Sequence, residues 1–249
     1  RGRAGCGGGL AAASWCAEPR AELTSYSMAW HDVLPPAAAA LRSALRHGSE
    51  GRSTAEQGDI YAFGVAQGDS LAVLHHAFPE HSLLGFDSFQ GLPPEDHEAS
   101  RILPWREGRF ATQKTVQRIV NSAGGPSVTR VYPGFFNESL TSELVAAERM
   151  RPASYVDVDC DLHVSSLQAL DWLFASRIAR VGTVVGYDDW WSIPCFIRRR
   201  YHGRRKVPDP LSVGEGLAHA QIAERYGVVF RCLAGPCKPP PSVKQCHRY

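Results

Sequence analysis

From Ile60 onward the chain alternates short apolar runs with helical stretches about 10 to 15 residues long, and this rhythm limits the folds open to it. The apolar runs are "IYAFGV" (60–65), "SLLGFD" (82–87), "VTRVYPG" (128–134), "SYVDVDC" (154–160), "GTVVGYDDWW" (182–191) and "VVFRCL" (228–233). Between them lie "SLAVLHHAF" (70–78), stopped by Pro79, helices near 112–122 and 141–149, "SSLQALDWLFASRIA" (165–179) and a helix near 215–226. Parallel strands need crossovers of this length, so the pattern predicts βαβ units: an α/β fold with an open, doubly wound sheet and helices on both faces. A chain of 249 residues, 44% of them hydrophobic, is large enough for one such core. Upstream, "LPPAAAALRSALRHG" (34–48) reads as a helix behind a Pro pair, and "GLPPEDHEASRILPWREG" (91–108) as a surface excursion.

In a doubly wound sheet, ligands bind outside the carboxyl ends of the strands where strand order reverses. The first such end carries "FGVAQGDS" (63–70), with Gly64 and Gly68 ahead of a helix. Glycines there let backbone approach a ligand, and the helix start offers free N–H groups. The turn is not a GxGxxG fingerprint, and Asp69 would repel an anion, so a cofactor bearing a ribose but no phosphate fits better. The second strand ends in Asp87, 19 residues beyond Gly68, near the spacing at which an acid meets ribose hydroxyls. A tight turn followed by an exposed Asp is the plainer alternative.

"YVDVDCDLHVSS" (155–166) sets Asp157, Asp159 and Asp161 at alternate positions, so they share one strand face while Val156, Val158 and Cys160 take the other. Ionised carboxylates on a buried strand repel and need a cation, a proton or a basic partner. "YDDW" (187–190) adds Asp188 and Asp189 at another strand end. If the strands are neighbours, the acids converge into an all-oxygen site suited to a hard divalent ion, Mg²⁺ first, with Ca²⁺ or Mn²⁺ next. Asp157, deeper in the strand, is expected to pair with a buried base. His163 is placed to act as a general base or, alternatively, to cap the following helix. D-x-D in "DVDCD" also fits a nucleotide-sugar glycosyltransferase, which would need neither the glycine turn nor the second acid pair.

"DIYAFGVAQGDSL", "GFDSFQGLP", "DVDCDLHVSS" and "GYDDW" occur in an order and spacing that resembles the macrocin O-methyltransferase-like family of S-adenosylmethionine-dependent methyltransferases, over roughly residues 58–191. The resemblance implies a Rossmann-like class I methyltransferase domain over 51–249, behind an N-terminal tail and helix (1–50). It implies that Gly64 and Gly68 line the methionine part of S-adenosylmethionine, that Asp87 binds its ribose, and that Ser88 and Phe89 lie beside the nucleoside. Phe63, Val65 and Ser70 complete that cofactor-binding turn. By the same carry-over Asp159, Asp188 and Asp189 hold Mg²⁺, with Asp161 in reserve, and Asp159 and His163 are the catalytic pair for methyl transfer to a hydroxyl of a small molecule, a sugar or glycoside being one option. Three positions depart from the family pattern: Ala62 stands for an acid, Asp69 for a glycine and His163 for a tyrosine. A non-catalytic family member that binds cofactor or metal is therefore a third reading.

Lys and Arg (27) nearly balance Asp and Glu (25), leaving a formal +2, so no global field draws the protein to nucleic acid or membrane, and the expected partner is a small-molecule acceptor; a homo-oligomer is compatible with this reading. No apolar run approaches the roughly 20 residues that cross a bilayer. The seven cysteines show no CxxC spacing and read as mostly free thiols of a reducing, cytoplasmic or organellar compartment. "RGRAGCGGGLAAASWCAEPR" (1–20) reads as a tail, with a targeting remnant as the alternative. "LPWREGRF" (103–110) is a candidate lid. Trp190 and Trp191 are candidates to stack on the acceptor, and Arg198, Arg199, Arg200, Arg204 and Arg205 to clamp an acidic group on it, against the simpler reading of a solvated loop. "GEGLAHAQIAERYG" (214–227) reads as an ordinary core helix with a structural His219.

Overall fold

The strands that the apolar runs predict all line up side by side in a computed structural model, which describes residues 22–27, 58–94, 105–200 and 208–234. In chain order they are β1 (Glu22–Ser27), β2 (Asp59–Phe63), β3 (Leu83–Asp87), β4 (Thr129–Pro133), β5 (Ala153–Val158), β6 (Val184–Tyr187) and β7 (Val229–Ala234). The spatial order is β4-β3-β2-β5-β6-β1-β7, and every neighbouring pair is parallel. From β2 the chain steps outward through β3 to β4, then returns to place β5 against the free side of β2. The β2/β5 boundary is thus the switch point, where a crevice opens.

Period-two alternation packs both faces. Tyr61, Phe63, Phe86, Val156, Val158 and Tyr187 point into one core, covered by α5 (His163–Ala175) and α7 (Gly214–Tyr226) through Ala169, Leu170, Leu173, Phe174, Ala218 and Ile222. Ile60, Ala62, Leu83, Tyr155 and Val184 point into the other, covered by α1 (Asp69–Ala77) and α2 (Val116–Ser122) through Leu71, Leu74, Ile119 and Ala123. This is the α/β doubly wound sheet with helices on both faces. Phe63 is fully buried and stacks on Phe86 at 5.0 Å, so its ring contributes about 2–3 kcal/mol of burial.

Local chemistry sets the helix limits. Gly68, in the left-handed region, starts α1, and Phe78 ends it one residue before Pro79. Thr115 accepts the Arg118 N–H to cap α2, and Thr141 accepts the Leu144 N–H to cap α4 (Ser142–Ala147). A short helix, α3 (Phe136–Ser139), which the apolar pattern does not signal, follows β4. α6 (Ser192–Arg200) turns the start of the aromatic and arginine-rich stretch into a helix, and a single 3₁₀ turn at Pro210–Ser212 precedes α7.

Three findings differ from the expectations. β1 lies between β6 and β7, although the polar, alternating "ELTSYS" has no apolar run to signal a strand. Cys195 and Cys232 are each disulfide-bonded, and Cys160 is the free cysteine among the described residues, which corrects the reading of mostly free thiols. Sequence spacing does not reveal which cysteines a fold brings together. Among the described residues Asp157 pairs with no base: its Oδ1 accepts from the Tyr155 hydroxyl at 2.9 Å, two residues back on the same strand face. The expected helix at 34–48, and Arg204 and Arg205, lie outside the described residues. Among those residues no helix is long and apolar enough to cross a membrane.

Candidate active site at the switch point

β2 leaves the sheet through Gly64 (φ +89°), where an added Cβ would overlap the carbonyl oxygen of Asp159 at the end of β5. Only glycine lets the two strand ends close on one another here. Asp87, at the tip of β3, fixes the turn: its Oδ2 accepts from the Val65 and Ala66 N–H groups at 2.7 and 2.8 Å, and its Oδ1 from the Phe89 N–H at 2.6 Å. Three of the roughly four lone-pair positions of the carboxylate are therefore used, leaving one for a ligand hydroxyl. Ser88 stabilises the next turn by donating to the Gly91 carbonyl at 2.9 Å and accepting from the Gln90 N–H at 3.0 Å.

Beside this turn lies a cavity of about 620 Å³, within the range of small-molecule sites. Gly64, Ala66, Asp87 and Ser88 form one lip, Gly134 to Glu138 after β4 form the flank, and Asp159, Asp161, Asp188 and Asp189 form the floor. Trp105 and Phe110 roof it. That roof is tied down: the Leu92 N–H donates to the Arg109 carbonyl and the Gly108 N–H to the Leu92 carbonyl, both at 2.9 Å. Two residues of the candidate lid, Trp105 and Phe110, thus stand at the cavity, with the Arg109 guanidinium over the Phe110 ring at 4.8 Å.

One carboxylate oxygen each from Asp159, Asp188 and Asp189 lies within 4.8 Å of the others. β5 and β6 are hydrogen-bonded neighbours, and their ends place the three acids together. Burial, then repulsion from Asp188 and the other acids, raises the Asp159 carboxyl well above the usual range. Asp189 is raised likewise, by burial and then by Asp161 and Asp188. Asp161 is pushed up to about 6, mainly by burial, and shares a hydrogen bond with Asp189, while Arg109 pulls it down. Burial, against the Tyr155 hydrogen bond, pushes Asp157 up to about 7. Carboxylates this close hold protons unless a cation neutralises them. The donor set is all oxygen, with Asp189 buried and Asp159 and Asp188 half-buried at the cavity, which fits a hard divalent ion.

The structure separates the expected site residues into groups. Gly64, Asp87, Ser88, Asp159, Asp161, Asp188 and Asp189 line the cavity. Phe63 and Val65 are core residues behind the lip, Gly68 starts α1 and packs on Ile119, and Ser70 and Phe89 stand outside the lining. His163 is not in the cavity wall; its Nε2 lies 2.9 Å from Gln221 Oε1, joining α5 to α7. Trp191 is buried, and Trp190 packs on Tyr187 and His219, so neither ring faces the cavity. His219 is structural: its Nδ1 meets the Tyr187 hydroxyl at 3.0 Å. Sequence reasoning missed Glu215, whose Oε2 accepts the Asp189 N–H at 3.0 Å from the first turn of α7. Only the flanking glycines of "GEG" hinted at it.

No protein-family profile matches the chain, and no curated protein matches it by sequence. Among solved structures it is similar to the crystal structure of CalS11, a calicheamicin methyltransferase, with a TM-score of 0.52 and 18% identity over 76% of this chain and 72% of that one. At that identity the likeness shows the fold alone, a Rossmann-like α/β sheet; it does not reach the macrocin O-methyltransferase-like family.

Proposed function

We propose that the protein is an S-adenosylmethionine-dependent O-methyltransferase that uses a divalent cation and acts on a hydroxyl of a small molecule, on the pattern of the macrocin O-methyltransferase-like family. One observation carries the reading: the glycine and Asp87 lip and the Asp159, Asp188 and Asp189 trio line the same cavity at the switch point. A glycosyltransferase needs only the second of these.

When bound, the cofactor supplies an electrophilic methyl group and the cation acidifies the acceptor hydroxyl. The chain's residues do the rest. Gly64 and Ala66 bring backbone against the cofactor, and Asp87 has one lone-pair position left for a ribose hydroxyl. Asp159, Asp188 and Asp189 would hold the cation. Asp161, a further carboxylate of the cavity lining, takes the acceptor's proton, a role that His163, outside the lining and engaged with Gln221, is not placed to perform. Trp105 and Phe110 present an apolar face to the acceptor.

The test is calorimetric titration with S-adenosylhomocysteine, with Mg²⁺ and with chelator, followed by methyl transfer to a panel of hydroxylated sugars, glycosides and phenols. Binding with turnover that needs the cation is the expected result. Asp161→Asn should lose about 10²-fold or more in kcat, while His163→Ala stays within about threefold. No heat from S-adenosylhomocysteine, with heat instead from a nucleotide sugar, would overturn the proposal.

A further inference from the structure

The first turn of α7 carries a carboxylate that the apolar pattern of the sequence does not single out. Glu215 is 0% exposed, and its Oε2 accepts the backbone N–H of Asp189. Its other oxygen, Oε1, is buried with no hydrogen-bond partner. The charged groups that act on it are Asp189, Asp159 and Asp188, all acidic. An unpaired, buried acid among three acids is costly unless something positive joins them.

The local backbone is shaped to deliver this side chain. Gly214 has φ +52°, and a Cβ there would overlap Ile193 on α6; a Cβ on Gly216 would overlap the Pro210 carbonyl in the 3₁₀ turn. With glycine on both sides, the helix start can press in between α6 and that turn. The helix N-terminus favours a negative charge there and offsets part of that cost.

Resting on the metal-assisted reading above, we propose that Glu215 is a positioning residue of the cation centre: Oε2 fixes the backbone of Asp189, and Oε1 accepts from a water on the bound cation. Glu215 is not among the three residues whose oxygens lie within 4.8 Å of one another, so it acts from the layer behind them.

The experiment is titration of Mn²⁺ into the full chain, wild type, Glu215→Gln and Asp188→Asn, with thermal unfolding of each with and without Mn²⁺. Glutamine keeps an acceptor for the Asp189 N–H and removes the charge, so a purely structural role would survive it. The expected result is Mn²⁺ affinity weakened about tenfold to hundredfold in Glu215→Gln, a smaller Mn²⁺-induced rise in unfolding temperature, and a cation-free unfolding temperature no lower than that of the wild type. Affinity within twofold of wild type, while Asp188→Asn loses binding, overturns the Glu215 proposal and leaves the metal reading intact. Absence of Mn²⁺ binding in the wild type overturns both. Should Glu215→Gln not fold, Glu215→Asp serves: it keeps the charge but draws the oxygens back by one carbon, and unchanged affinity there overturns the proposal equally.

Discussion

Asp87 and His219 show how single side chains divide structural from chemical work. Asp87 gives most of its accepting capacity to three backbone N–H groups, so its place at the cavity lip is also the strut that holds the lip's shape. His219 does structural work alone. Burial lowers its pKa from 6.5 to about 4, with Tyr187, Trp190 and Phe230 packed around the ring. The folded state therefore holds His219 neutral, while the unfolded chain takes up a proton below pH 6.5. Its contribution is complete above about pH 6.5 and is lost as pH falls toward 4, about 3 kcal/mol in all. The buried acids Asp157 and Asp161 act with the opposite sign. Their folded values are raised, so their ionisation costs stability as pH rises toward about 7 and about 6 respectively. Urea unfolding of wild type and His219→Gln from pH 7 to pH 4 separates the two effects: the stability gap between them should narrow as pH falls, and a constant gap would show that His219 does not titrate as its burial demands.

At the scale of elements, the site exists because β2 and β5 end against each other. Gly64 is the contact, with a positive φ and no room for a Cβ beside the Asp159 carbonyl. Gly64→Ala therefore strains two strand ends at once and should cost more than about 2 kcal/mol, read as a lowered urea midpoint. Because Asp159 moves with that carbonyl, cation affinity should fall in the same variant, whereas Gly125→Ala, where a Cβ meets nothing, pays only the backbone conformational cost. The α5–α7 pair beneath the sheet is tied by His163 to Gln221 and by Tyr226 and Arg225 to Asp171, with Tyr226 Oη to Asp171 Oδ1 at 2.8 Å and Arg225 Nη1 to Asp171 Oδ1 at 2.7 Å. That link also carries Glu215 to its place, because α7 starts behind the cavity floor, against the Asp189 backbone, and packs along α5.

For the whole molecule, the disulfides bear on stability more than any surface ion pair does. Cys195 sits buried on α6, directly after the Asp188 and Asp189 turn, and Cys232 lies on the outer strand β7. Denaturation without reductant followed by alkylation and peptide mapping should label Cys160 and leave Cys195 and Cys232 unlabelled. Reductant should lower stability by about 2–4 kcal/mol per bridge. Labelling of Cys195 or Cys232 without reductant would return the chain to the free-thiol reading.

The sequence by itself determined the alternating pattern, and with it the parallel sheet, the strand ends and the acids that lie on them. Those are local properties: periodicity, glycine in a turn, Asp at the tip of an apolar run. Asp87, Asp159, Asp188 and Asp189 were legible for that reason. Only the tertiary structure decided which strand ends become neighbours, that β1 joins the sheet, and that His163 is held by α7 while Asp161 enters the cavity wall. It also brought Glu215, 26 residues after Asp189, onto the backbone of that residue. The physical reason is the same throughout: contacts between distant segments depend on how helices pack on the sheet, which no short window of sequence records.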